Sequence, residues 1–193
     1  MKSNSMLAVP VVFASLLWGS LCCPAQSEAE KQPAEKIWHV KAVHPEGRLL
    51  DIKGIDKSGN IFPIKAIQDG ENVHLLDIKA LRDGKRLPVK ILVSDDKLAP
   101  VKAIGEGGVI YDIKALTPDG RKLDVKGVRQ TGNIIHIKAV TEEGKFFGVK
   151  AVSPEGRVYD IKGVKMNPEP VEGKINGVDF AAHVKALPPA PER

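Results

Sequence analysis

Cysteine is almost missing from this chain. It has 2 in 193 residues, Cys22 and Cys23, and both lie in the first apolar stretch. Aromatic residues make up only 5 %. After residue 22 no apolar run is long enough to cross a membrane as a helix. The apolar spacing of three and four that an amphipathic helix needs is also absent. These gaps exclude a disulfide scaffold and leave few rings on which nucleic-acid bases could stack. The charge excess is small, +5 at pH 7, which is not the basic stripe of a dedicated nucleic-acid binder.

The amino terminus reads as an export signal. Lys2 precedes an apolar stretch from Met6 to Cys22, and Cys23-Pro24-Ala25 offers a small-residue cleavage site. Cleavage there removes residues 1–25 and both cysteines, leaving 28 basic against 24 acidic residues. The rival reading is lipid anchoring at Cys22 or Cys23. It is the weaker one, because Leu21 or Cys22 is a poor match to the small residue a lipid-attachment signal wants before its cysteine. Residues 26–36 read as a flexible lead, 37–187 as a single β-repeat domain, and 188–193 as a disordered Pro-rich tail. The expected location is exported: periplasmic, outer-surface or secreted.

What the chain does have is a period. Lysines 41, 53, 65, 79, 90, 102, 114, 126, 138, 150 and 162 recur in ten steps, eight of them twelve residues long, and Lys185 is a late copy. A fixed period marks units that are completed by their neighbours. With the lysine as position zero, position −1 is Val or Ile in all twelve copies. Position +1 is Ala or Gly except at Ile91, and +2 is Val, Ile or Leu. Position −3 is usually large and apolar, as in Trp38, Leu50, Phe62 and Tyr111. Such runs are strands. Between them lie turn signals such as His44-Pro45-Glu46-Gly47, Thr117-Pro118-Asp119-Gly120 and Ser153-Pro154-Glu155-Gly156. Pro presets φ near −65°, and Gly takes the left-handed position. Each unit is therefore one strand and one tight turn, and neighbours in sequence pair antiparallel.

About twelve strands at ~4.8 Å spacing would form a sheet about 60 Å wide, beyond what stays open. The expected fold is all-β: an up-and-down meander rolled into a barrel or a folded-over sheet. His39-Val40-Lys41-Ala42 and His183-Val184-Lys185-Ala186 match, which suits first and last strands lying side by side. The segment between Lys162 and Lys185 reads as an irregular excursion.

Alternation along a strand puts −3, −1 and +1 on one face, the core, and the lysine on the other. A strict twelve-residue meander is expected to swap these faces from strand to strand unless a bulge intervenes. Asp, Pro, His or Gly at −2 suggests a bulge there, and with it lysines sharing one face.

The eleven lysines from Lys41 to Lys162 are the candidate anion-binding residues, as an array for an acidic polysaccharide or lipid head groups. The competing role is solvation of the sheet surface, with Asp at −2 as neutralising partner. His39, His44, His74, His136 and His183 are too scattered for a metal site, and only His39 and His183 could meet across a closed ring. No catalytic, cofactor or metal residues are assigned, and Gly105-Glu106-Gly107-Gly108 reads as a turn rather than a phosphate loop. The expected function is an exported, non-catalytic structural or interaction module of the cell envelope or periplasm, its partner a protein. The alternative is a binder of anionic envelope polymer.

Overall fold

The computed structural model describes residues 36–68 and 74–189. The expected signal peptide, both cysteines, the lead up to residue 35 and the tail from residue 190 lie outside the described residues. Thirteen antiparallel strands carry the described chain, and the one helical turn is a short 3-10 segment at Glu106–Gly108. They are β1 (Ile37–Val43), β2 (Leu49–Ile55), β3 (Ile61–Gln68), β4 (Leu76–Arg82), β5 (Lys85–Leu92), β6 (Ala99–Ile104) and β7 (Ile110–Leu116). Then follow β8 (Lys122–Thr131), β9 (Ile134–Val140), β10 (Phe146–Val152), β11 (Val158–Val164), β12 (Gly173–Ile175) and β13 (Val178–Leu187). Each lysine-centred repeat is one strand. β12 is an addition within the expected excursion and, among the described residues, pairs only with β13.

The turns form as the sequence predicts. In the first hairpin the His44 N–H donates to the Arg48 carbonyl at 2.9 Å and the Gly47 N–H to the His44 carbonyl at 2.8 Å. Gly47 has φ +81°, where any side chain would be strained. The loops at 117–121, 141–145 and 153–157 repeat both hydrogen bonds.

These loops also explain the lysine faces. Lys41 stands opposite Asp51, and Lys102 opposite Asp112, so paired residue numbers sum to an even value. Cross-strand partners share a face, and twelve is even. A repeat joined by such loops therefore keeps every lysine on the same side without help. The bulge expected at −2 is not present. Register shifts among the described ladders occur between Gly127 and Arg129 and between Phe180 and Ala182.

Twelve strands, all but β12, form a closed barrel in which each pairs with three of the others instead of two. One edge of β1 runs along β10 from His39 to Val43. Its other edge is shared: Ile37–His39 pair with β3 and Lys41–Val43 with β2. The change of partner falls between −2 and the lysine, which is why Asp, Pro, His and Gly are tolerated at −2. The pairings group the strands into four trios: β1-β2-β3, β4-β5-β13, β6-β7-β8 and β9-β10-β11. Each two trios are joined by one further ladder: β3–β4, β2–β7, β1–β10, β5–β6, β11–β13 or β8–β9. This is the connectivity of a tetrahedron with a strand trio at every corner. β1 and β13 belong to different trios, and no ladder joins them among the described residues, so the expected contact of the end strands does not form.

The core is the face that alternation predicted. In β1, Trp38, Val40 and Ala42 are buried, while Lys41 is half-buried on the outside. The twelve −1 residues, from Val40 to Val184, converge at the centre and leave a space of about 10 Å³. That is at the lower limit for one water molecule, and its walls are apolar. The interior is filled.

Candidate functional site

The twelve repeat lysines all lie half-buried on the outer face. They do not run in rows. Each trio of strands gathers three lysines, and in each pairing within a trio the lysine of one strand stands opposite the −2 residue of the next. Lys41, Lys53 and Lys65 thus meet Asp51, Pro63 and His39. Lys185, Lys79 and Lys90 meet Asp77, Pro88 and His183. Lys102, Lys114 and Lys126 meet Asp112, Asp124 and Pro100. Lys138, Lys150 and Lys162 meet Gly148, Asp160 and His136.

Five aspartates therefore serve twelve lysines. Lys41, Lys102, Lys114, Lys150 and Lys185 each form an ion pair with the Asp across the ladder. Asp77 also accepts from Lys79 at 3.0 Å, and Asp160 lies 3.4 Å from Lys162. Hydrogen bonding from Lys41 holds the Asp51 carboxyl below its ordinary range, and Lys102 does the same for Asp112. Burial opposes ionisation of Asp77 and Asp160, but the lysines beside each outweigh it.

Where the −2 residue is histidine, the lysine meets a second base. The Lys90 Nζ is 2.6 Å from His183 Nδ1 and 4.7 Å from the Phe180 ring centroid. Burial, with Lys185 nearby, lowers the Lys90 ammonium to about 8. Burial and Lys90 lower His183, burial and Lys162 lower His136, and Lys65 and burial lower His39. Nδ1 accepts from the lysine when the imidazole is neutral, so each depressed histidine and its lysine form a hydrogen-bonded pair. His39 and His183 sit in different trios. Among the described residues no group of three or more His, Cys, Asp or Glu could hold a metal ion.

Along the six ladders that join the trios each lysine stands directly opposite another lysine: Lys41–Lys150, Lys53–Lys114, Lys65–Lys79, Lys90–Lys102, Lys126–Lys138 and Lys162–Lys185. Like charges at such sites destabilise a sheet. Lys138 has no carboxylate within ion-pair distance among the described residues, and its Nζ lies over Gly148.

A second feature was hidden in the turns. The −3 residues group in threes, one group wherever three strand trios meet, and there are four such places. At one, Leu50, Leu123 and Phe147 form the floor of a cavity of about 640 Å³. Its rim is built from the equivalent hairpins 44–48, 117–121 and 141–145, which bring Arg48, Arg121 and Lys145 around one mouth. In the sequence the segments just before these residues read as ordinary turns, and nothing marks Arg48, Arg121 or Lys145 themselves. Nothing in the repeat says which three of its hairpins converge.

No helix among the described residues is long and apolar enough to cross a membrane. No curated protein and no solved structure matches the chain. The family model that does match covers residues 34–187, the β-repeat domain with three residues of its lead, and the chain belongs to that family, DUF7486, a family of unknown function.

Proposed function

We propose that the domain is an exported, non-catalytic interaction module of the cell envelope or periplasm. The filled interior carries this reading. With about 10 Å³ at its centre, the barrel has no lumen for a ligand, so recognition has to take place on its outer surface. That surface is the same half-buried lysine face on all sides of the fold, a form suited to multivalent contact. Export is tested by the mass of the protein recovered from the envelope fraction. Loss of residues 1–25 supports it, and an intact amino terminus in the cytoplasm defeats it.

The second reading, a binder of anionic envelope polymer, is favoured by the lysine pairing. Among the described residues the repeat sets twelve lysines against five aspartates at −2, and six lysine–lysine pairs stand along the ladders at a stability cost. A polyanion supplies the missing counter-charge, with affinity that falls steeply with salt. Elution from a heparin resin tests it. Retention at low salt that is lost as salt rises supports polymer binding, and passage without retention at low salt leaves a protein partner.

A further inference from the structure

The four places where three trios meet are equivalent in topology, and the chain fills three of them. At one, Ile91 occupies the space beside Ala99, Ala182 and Ile135. At another, the Trp38 and Tyr159 rings lie 4.5 Å apart, and the Arg157 guanidinium covers Trp38 at 5.4 Å. At a third, the Arg82 guanidinium sits 4.6 Å from the Tyr111 ring centre and 5.5 Å from that of Phe62, paired with Asp56 at 3.0 Å. This plug leaves about 180 Å³. The fourth has no plug, and its 640 Å³ is in the range of small-molecule sites.

The chemistry of this mouth is specific. Leu50, Leu123 and Phe147 give it an apolar floor, and the His44 ring meets Phe147 edge-on at 4.8 Å. Around the rim, Arg121 donates to Asp119 at 2.7 Å, and Arg48 donates at 2.8 Å to Glu46, which lies outside the lining. Each pair sets a donor fork beside an acceptor, which is what neighbouring hydroxyl groups on a ring need. Thr117 and Arg121 hold the Asp119 carboxyl below its ordinary range, and Thr141 does so for Glu143, so both are acceptors at neutral pH. The third hairpin differs: Lys145 has no carboxylate within ion-pair distance among the described residues. The mouth thus combines a buried apolar floor, paired donors and acceptors, and one cation lacking an ion-pair partner among the described residues.

We propose that this mouth binds a saccharide unit bearing a single carboxylate, a uronic acid, with the sugar's C–H face on Leu50, Leu123 and Phe147 and its carboxylate on Lys145. A groove of about 320 Å³ shares Leu123 and Thr141 with the mouth and continues it past Lys114, Lys122 and Lys126 together with Asp124 and Glu142, a lining of mixed charge. The site does not rest on the polymer reading, because a monosaccharide suffices to occupy it.

The test is a titration of the isotope-labelled full-length protein with glucuronate, followed by amide NMR. Shifts centred on Gly47, Gly120 and Gly144, weakened about tenfold in Lys145→Ala by loss of one charge-assisted bond, support the site. Arg121→Gln, also at an exposed rim position, is the second variant and should weaken binding in the same way. The proposal is overturned if sodium acetate at matched ionic strength gives the same shifts. It is equally overturned if glucose binds as well as glucuronate, if shifts fall on the lysine trios instead, or if none appear. Heparin retention is scored separately, so a failed mouth and a failed polymer reading are told apart.

Discussion

Ile91 and Gly163 are a matched pair: the Ile91 Cδ1 lies 2.4 Å from where a Cβ on residue 163 would stand, too close for both. Ile91 is the one large residue at +1, and Ala99 and Ala182 are the two small residues at −3, so the exceptions to the repeat compensate one another in space. Gly163→Ala should force Ile91 off its rotamer and cost about 1–3 kcal/mol. Ile91→Ala should leave a cavity and cost about 2–5 kcal/mol. Urea unfolding of the double variant should show Gly163→Ala costing less once Ile91 is gone. Strict additivity would mean that the two side chains do not compete for one space.

Much of this fold could be read before it was seen. The Val/Ile-Lys-Ala/Gly core with a large −3 residue gave strand, core face and turn together, because every local preference agrees with the same period. The closure could not be read in that way. β2 meets β7 and β1 meets β10 across long stretches of chain, and nothing in Lys53 or Lys114 names its partner. The expected bulge at −2 came from the wrong parity for odd loops; the same Asp, Pro and Gly residues instead mark where a strand changes neighbours. Ile91 with Ala99 and Ala182 was a legible signal of tertiary packing, since departures at +1 and −3 offset one another in volume. The mouth lined by Arg48, Arg121 and Lys145 was not legible, because it arises from three copies of an ordinary hairpin.

Arg82 should behave as a plug more than as half of an ion pair. Its guanidinium covers Phe62 and Tyr111, and its Nη1 is buried without a hydrogen-bond partner. Arg82→Ala removes packing and charge and should cost about 1–3 kcal/mol. Arg82→Met keeps the stem and should cost less. Equal losses in chemical denaturation would place the stability in the Asp56 contact instead.

Acid should destabilise the domain in two stages. The folded pKa values of His39, His136 and His183 are depressed, so as pH falls through about 6.5 the unfolded chain takes up protons first and stability drops. Asp51, Asp77, Asp112 and Asp160 are also depressed, so the stability they contribute is present above about pH 4 and is lost below it. Urea midpoints should fall between pH 8 and 5 and fall again below 4. His183→Asn should flatten the first step, and a flat profile from pH 8 to 5 in the parent protein would remove the histidine–lysine units from the account.

Lys90 should be the amine that identifies itself chemically. With its ammonium lowered to about 8, against about 10.4 for a free side chain, a large fraction is neutral and nucleophilic at pH 8. Competitive acetylation read by mass spectrometry should show its reactivity rising with a midpoint near pH 8 and levelling off about one to two pH units higher. The folded state disfavours the charged form, so stability should also rise between about pH 8 and 10.4 as the unfolded chain releases this proton last. A reactivity midpoint near 10 would show that Lys90 stays hydrated.

The opposed lysines separate stability from function. Lys138 faces Lys126 across the β8–β9 ladder and has no carboxylate within ion-pair distance among the described residues. If the domain needed only a solvated surface, Glu at this position would serve it better. Lys138→Glu turns a like-charge pair into an opposite-charge one and should stabilise the fold by about 0.2–1 kcal/mol. Under the polymer reading the same change should lower the salt needed for elution from heparin, because two units of charge leave the binding face. Higher stability with weaker retention would show that lysine is kept at position zero for what it contacts outside the protein. A gain in stability with unchanged retention would make it a feature of the sheet alone.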